Sequence, residues 1–564
     1  MVEQLFTGQH LAGVEHEDLG ERELPGREIE YLSADHDPPG PAVELSVLRV
    51  TVRDMFVPLS VIDFIYRARV VYGERVGVID EPDQPASSLG DLTYAELAAL
   101  ARRQAAKLDE LGIEVGDRVA VVSHNSARLL ASFFGVAGSG RVLVPVNFRL
   151  RPDEVSYIVE HSGARVLYVD PELDEALAGV SAEHRFVLGD DEDMFAGEGI
   201  EAREWEPDEA ATACINYTSG TTARPKGVQI THRNIWVNAV TFAMHAAVTD
   251  RDVYLHTLPM FHANGWGMPF AMSGLGVPQV VLRKVDGAEI LRRVEQYAVT
   301  VMCAAPAVVA AVLDAAAEWD GEIPGRDKVR IICAGAPPPT RTIVRVQEEL
   351  GWEFIQIYGL TETSPLLTVN RARAEWDDLS SEELAGKLVR AGAPALGVRL
   401  TTDAEGEVLA RSNVVLEGYW EQPEESARAL AGGWFHTGDG GVLGDDGYLR
   451  ISDRKKDVII TGGENVSSIE VEDVLFSHPA VAQVAVIGVP SEKWGETIKA
   501  LVVLAPGEST NEAELIAWCK DKAAGYKAPT SVEIRDELAR TATGKLQKFK
   551  LREPYWAGHD RQVN

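Results

Sequence analysis

A chain of 564 residues exceeds what one hydrophobic core ordinarily serves, so at least two domains are expected. Its composition, 45% apolar and 25% charged, is that of a globular protein, and no apolar run is long enough to span a bilayer. The formal net charge of −33 repels nucleic acid and anionic membranes, and it repels ATP as well, so a nucleotide site here needs local positive charge or Mg²⁺.

The first residues, "MVEQLFTGQHLAGVEHEDLG", lack the basic start and apolar run of a secretory signal. The four cysteines, Cys214, Cys303, Cys333 and Cys519, are scattered without metal-ligand spacing and read as reduced, mostly buried thiols of a cytoplasmic protein. Abundant Asp and Glu with few Lys beside Arg suggest a surface suited to high salt. Residues 1–54 are polar, acidic and rich in Gly and Pro and are expected to be a variable, disordered extension, either a functional tail or the product of an overlong start.

From Met55 the pattern becomes regular. "LTYAELAALARRQAAKLDELG" has apolar residues at helical spacing and ends at Gly112. "DRVAVVSH" reads as a buried strand, "SARLLASFFGVAGSG" as a helix, and "RVLVPVN" and "ARVLYVD" as further strands. The rhythm returns at "TVMCAAP", "VRIICAGAPPP" and "WEFIQIYGLTE", each ending in a loop of small or polar residues. Strands alternating with helices predict mainly parallel sheets flanked by helices, with ligands beyond the carboxyl ends of the strands. After about Arg450 the texture changes to a second, small α+β domain. The expected fold is therefore α/β: a large N-terminal domain over residues 55–452, a junction at 453–457 and a small, mobile C-terminal domain over 458–564.

"INYTSGTTARPKGVQITHRN" packs hydroxyls and glycines beside one cation and precedes an expected helix. Glycines let backbone N–H groups approach an anion, hydroxyls add donors and Lys supplies charge, so the stretch reads as a phosphate loop. It is not a Walker loop, because Pro225 precedes Lys226 and Gly227 follows it. "QIYGLTETSP" offers an aromatic ring for a base, a hydroxyl for a phosphate and a carboxylate for Mg²⁺. "GGWFHTGDGG" places Asp439 after a turn, and "SDRKKD" on its own is usually solvated surface. "ARTATGKLQK" carries a lysine in a Gly-containing turn, and "TLPMFHANGWGMPF" combines a His with small and apolar residues. No Ser–His–Asp or Cys–His arrangement calls for a covalent enzyme intermediate.

"YTSGTTARPKGV" resembles the phosphate loop of the adenylate-forming superfamily, with Ala223 where that family usually carries Gly or Ser. The resemblance runs from about Met55 to Leu551, with the motifs in the family's order, and is nearest to acyl-CoA synthetases of the fatty-acyl-CoA ligase kind. It implies ATP and AMP contacts from Thr218, Ser219, Gly220, Thr221, Thr222 and Lys226. Gly335, Ala336 and Pro337 would wall the adenine, Tyr358 would stack on it beside Gly359, and Asp439 and Arg454 would hold the ribose. Thr361 would touch the α-phosphate, Thr221 and Glu362 would hold Mg²⁺, and Lys545 would be the adenylating lysine. His262 would sit near the substrate carboxylate, and His262, Asn264, Trp266 and Gly335 would begin the acyl pocket. Gly462, Gly463 and Glu464 would face CoA, and Lys456 would be the hinge.

The reaction implied is ATP-dependent activation of a carboxylic acid to acyl-AMP with release of pyrophosphate, then transfer to CoA as co-substrate. The acid is expected to be a medium-chain fatty or similar apolar acid, with aryl, short-chain and methylthiopropionate-type acids as alternatives. Loading of a carrier protein, a luciferase-like oxygenase and a catalytically dead nucleotide sensor are rival functions. The small-molecule acid, ATP and CoA are the expected partners, with no nucleic acid and no integral membrane segment. A homodimer stays open.

Overall fold

The computed structural model describes residues 56–218, 224–454, 457–461, 464–491, 493–540 and 546–557, with Arg454 described by its backbone alone. The extension 1–54, Ser219, Gly220, Thr221, Thr222, Ala223, Lys456, Gly462, Gly463 and Lys545 lie outside the described residues.

Short runs of β-branched residues form strands, and capped amphipathic segments form the helices between them. Thr93 and Glu96 close a capping box on helix Tyr94–Glu110, and Ser126 caps helix Ala127–Gly135 by accepting from the Leu129 amide. Among the described residues the strands make four sheets, of seven, nine, four and five strands. The seven-stranded sheet is parallel through Thr212–Thr218, Val142–Val146, Arg118–Val122, Ala164–Val169 and His184–Val187. It ends in the antiparallel strands Lys226–Thr231 and Gly418–Tyr419. The nine-stranded sheet has a parallel centre, Gln279–Val281, Tyr254–His256, Val301–Ala304, Arg330–Cys333 and Glu353–Gly359, with antiparallel edges. Helices cover both, and one core that includes Val119, Phe133, Phe270, Ile332 and Ile357 spans them. The strand-rich, helix-flanked large domain follows the sequence expectation.

One buried amide joins the two sheets where their strands end. Asn125, just past strand Arg118–Val122, donates to the carbonyls of His256, Leu258 and Leu282 at 3.1, 2.8 and 3.1 Å. Its oxygen accepts from the Met260 amide at 2.7 Å, which fixes the segment leading to His262.

The four-stranded antiparallel sheet, Arg399–Thr402, Glu407–Arg411, Phe435–Leu443 and Leu449–Arg454, leads into the small domain. That domain has its own core, with Ile459, Val471, Leu475, Val486 and Leu515 between its five-stranded sheet and the helices Ser468–Phe476 and Glu512–Lys522. The "SDRKKD" stretch departs from the solvated surface such charge runs usually form. Asp453 is 2% exposed, and its carboxylate accepts from the Ser468 amide at 2.9 Å and from the Ser468 hydroxyl. Asp457 pairs with Arg552 at 2.8 Å. These carboxylates are buried because they satisfy donors on the small domain.

Candidate active site

Two antiparallel strands, Thr212–Thr218 and Lys226–Thr231, flank the phosphate-loop stretch. Thr218 ends one strand and stands opposite Lys226, which opens the next. The helix expected directly after the lysine begins only at His232, because the alternating "KGVQIT" first adds a strand and Thr231 with Asn234 then makes the capping box. Gly227 is needed here: a Cβ would stand 2.9 Å from Ile215 Cγ2 and 3.1 Å from Tyr217 Cζ. The Trp420 amide donates to its carbonyl at 2.7 Å, bringing Gly418–Tyr419 alongside the hairpin.

That pairing assembles a charged cluster. Lys226 Nζ lies 2.6 Å from Glu425 Oε2 and 5.1 Å from the centre of the Tyr419 ring. The Tyr419 hydroxyl donates to Glu362 Oε1 at 3.0 Å. Burial lowers the pKa of the Lys226 ammonium, against the opposing pull of the Glu362 carboxylate. Sequence reasoning singled out Lys226 and Glu362, and the fold brings them together. It missed Tyr419 and Glu425, which stand about 190 residues beyond the lysine and carry no motif of their own.

Tyr358 and Asp439, also singled out, meet directly: the Tyr358 hydroxyl donates to Asp439 Oδ2 at 2.8 Å. Asp439 lies within strand Phe435–Leu443, which follows the turn at Ala431–Gly433; it is 7% exposed and stands opposite Arg454 in the backbone ladder. Tyr358 and Gly359 end strand Glu353–Gly359, and Thr361 and Glu362 form the turn that follows, both partly buried. A Cβ on Gly359 would stand 1.6 Å from the Pro365 carbonyl oxygen. Gly335, Ala336 and Pro337 follow the neighbouring strand Arg330–Cys333, with Gly335 at φ +100°. The Tyr358–Glu362 and Gly335–Pro337 segments lie at and just beyond the carboxyl ends of two adjacent parallel strands, as such sheets place their ligands.

His262 begins a turn, His262–Gly267, in which Ala263, Asn264, Gly265, Trp266 and Gly267 all have positive φ. Three of these carry side chains in the left-handed region, a conformation that persists only where the surroundings enforce it. The enforcing contacts are visible. Asn216, two residues before Thr218, donates to the Phe261 carbonyl at 3.2 Å and to Asn264 Oδ1 at 3.1 Å. Asn238 donates to the Trp266 carbonyl at 3.2 Å and accepts from the Leu366 amide at 3.1 Å, four residues past Glu362. Trp266 is 4% exposed and His262 partly buried. The turn is thus tied to the strand ending at Thr218 and to the segment after Glu362 through two asparagines that sequence reasoning did not single out.

On the small domain, Glu464 opens a strand that turns back on Ile459–Thr461. Helix Ser468–Phe476 reaches the large domain beside the expected adenine wall, where Asp473 accepts from the Thr340 amide at 3.0 Å and from its hydroxyl at 3.2 Å.

Comparison with known proteins gives the family. Residues 72–420 match the AMP-binding enzyme family and residues 470–545 the AMP-binding enzyme C-terminal domain. The 2-methylpropanoate–CoA ligase of Humulus lupulus is 36% identical over 544 residues, 88% of this chain and 95% of that protein. The 4-hydroxybutyrate–CoA ligase 2 of Metallosphaera sedula is 37% identical over 82% of this chain and 89% of its own. The o-succinylbenzoate coenzyme A synthetase of Bacillus subtilis, solved with ATP and magnesium, superimposes with a TM-score of 0.73 at 28% identity, covering 87% of this chain and 99% of that one. The chain belongs to the AMP-binding, adenylate-forming enzyme family. It is an AMP-forming acid–CoA ligase that uses ATP and CoA. Among the described residues no helix is long and apolar enough to cross a membrane.

Proposed function

We propose that the acid is a medium-chain fatty or similar apolar acid, bound at the His262–Gly267 turn beside the nucleotide. The observation that carries this reading is the double tether of that turn. Asn216 and Asn238 hold it between the phosphate hairpin and the Thr361–Glu362 turn, while Phe261, Trp266 and Met268 surround it with apolar, buried side chains. His262 would meet the acid's carboxylate. A second reading, a short-chain or aryl acid, is supported by the relatives, whose names specify 2-methylpropanoate, 4-hydroxybutyrate and o-succinylbenzoate.

In the first half-reaction a carboxylate oxygen bonds to the α-phosphorus of ATP and the bond to the β-phosphate oxygen breaks. In the second the CoA sulfur bonds to the acyl carbon and AMP leaves. Lys226 and Thr361 would hold the phosphates, Tyr358 the adenine, and Asp439 with Arg454 the ribose diol. Glu362 fits Mg²⁺: it is a hard oxygen donor, and among the described residues no three His, Cys, Asp or Glu converge on a metal cage. A single carboxylate plus nucleotide phosphates is the coordination Mg²⁺ favours, and Mg²⁺ would there neutralise charge on the departing pyrophosphate. Lys545 would neutralise charge in the first half-reaction. The domain boundary would fall at 453–457, with rotation about Lys456 exchanging Lys545 for the CoA-facing hairpin of Gly462, Gly463 and Glu464. The Thr340–Asp473 contact supports the hairpin's role, because it sets the helix after that hairpin on the adenine wall. The four cysteines are all buried and unpaired, which supports a reducing, cytoplasmic setting.

The test is pyrophosphate release from MgATP across acids from acetate to palmitate, with benzoate and methylthiopropionate, with and without CoA. CoA-dependent turnover centred on six to ten carbons supports the first reading, and a maximum at branched short-chain or aryl acids replaces it with the second. Lys545→Ala should abolish adenylation yet leave thioester formation from supplied acyl-AMP. Equal loss of both half-reactions rejects that role.

A further inference from the structure

Lys226 already has an anion. Glu425 Oε2 stands 2.6 Å from its ammonium, and the lysine side chain is only 17% exposed. Glu425 sits on helix Pro423–Ala429, where it also pairs with Arg428 three residues on. The Ser426 hydroxyl locks that helix to the phosphate hairpin's neighbour, accepting from the Tyr419 amide at 2.8 Å and donating to the Gln422 carbonyl at 2.8 Å. Glu425 is therefore held against Lys226 by the fold, beside the cluster that contains Tyr419 and Glu362.

We propose that Glu425 is an internal counter-ion of Lys226, which the triphosphate of ATP must displace and which returns when pyrophosphate leaves. The inference rests on the reading that Lys226 meets the nucleotide phosphates. Burial makes a lysine without a partner costly between turnovers, and Glu425 supplies one. Arg428 gives the carboxylate somewhere to stay: it is 69% exposed, so the Glu425–Arg428 pair survives in solvent when the ammonium turns to phosphate. The exchange takes one ion pair for another, so a ligand with several phosphate charges competes and a monoanion does not. Glu425 thus lowers affinity for polyphosphates on both sides of the reaction. It weakens ATP binding and speeds pyrophosphate release.

The test is MgATP binding to the full chain by calorimetry, with pyrophosphate inhibition measured in parallel, for Glu425→Gln, Lys226→Met and the double variant, each checked for native circular dichroism. Glu425→Gln should tighten MgATP roughly 3- to 10-fold and lower the pyrophosphate inhibition constant by a similar factor, with KM for the acid unmoved. Lys226→Met should weaken MgATP, and in its background the glutamine should bring no gain, because the gain acts through the lysine. Unchanged or weaker MgATP binding by Glu425→Gln overturns the counter-ion role, as does a gain that persists without Lys226. A Glu425→Gln loss that depends on Mg²⁺ concentration makes it a metal-side ligand instead. Wild-type MgATP affinity in Lys226→Met overturns the phosphate reading itself, an outcome distinct from the others.

Discussion

Gly359→Ala puts one methyl group where the backbone leaves no room. The new Cβ would stand 1.6 Å from the Pro365 carbonyl oxygen and 2.7 Å from its carbon, about half the tolerable approach for the first of these. Both obstacles are main chain, so no rotamer relieves them, and one of the two segments must retreat by more than about one ångström. Tyr358 lies on one side of the clash, with its hydroxyl 2.8 Å from Asp439, and Glu362 on the other, with its carboxylate 3.0 Å from the Tyr419 hydroxyl. Misplacement on that scale at a reacting centre costs on the order of 100-fold, and the overpacking itself costs about 1–3 kcal/mol of stability. The assay is kcat/KM for ATP in pyrophosphate release, beside a urea unfolding curve. Gly525→Ala is the matched control, since nothing lies within 4 Å of a Cβ there. A Gly359→Ala enzyme within threefold of wild type in kcat/KM would refute the argument that this close approach sets the site.

Tyr358→Phe keeps the ring but removes the hydroxyl bonded to Asp439. KM for ATP should rise about tenfold, the value of one hydrogen bond to a charged group, and an unchanged KM would detach the pair from nucleotide binding. His232 is fully buried, its Nδ1 accepts from the Val61 amide at 3.4 Å, and burial pushes its pKa down to about 4. A histidine depressed on folding stabilises above its unfolded value near 6.5 and loses that contribution as pH falls toward 4, on the order of 3 kcal/mol. The urea midpoint should therefore drop across that window, and less steeply in His232→Gln; equal slopes would reject it. Asp170 accepts from Arg283 at 2.9 and 2.7 Å with both side chains buried. Burial raises its pKa, but the Arg283 hydrogen bonds and charge outweigh that and leave it below the usual range. Asp170→Asn should cost about 3 kcal/mol at neutral pH, and the difference from wild type should shrink as pH falls below about 4, where the unfolded carboxylate begins to protonate while the native one still resists.

The sequence by itself determined the alternation of strands and helices, because short β-branched runs and capped amphipathic segments are local signals. It also singled out the residues from which the proposed site is built: the hydroxyl- and glycine-rich loop ending in Lys226 and the Tyr358–Glu362 stretch by residue type, and Asp439 by family resemblance. Tertiary structure alone decided which of them meet. Tyr358 finds Asp439 across 81 positions, and Lys226 finds Glu425 across 199, through a two-residue strand, Gly418–Tyr419, too short to carry a pattern. It made Asp453 an anchor rather than a solvated surface charge, since its burial depends on Ser468 arriving to donate to it. It also set the left-handed turn at His262–Gly267, which Ala263 and Trp266 do not prefer and which Asn216 and Asn238 enforce from two other segments. Periodicity and composition act within a few residues. Charge pairing, desolvation and backbone strain are settled by groups that are close only after the chain has folded.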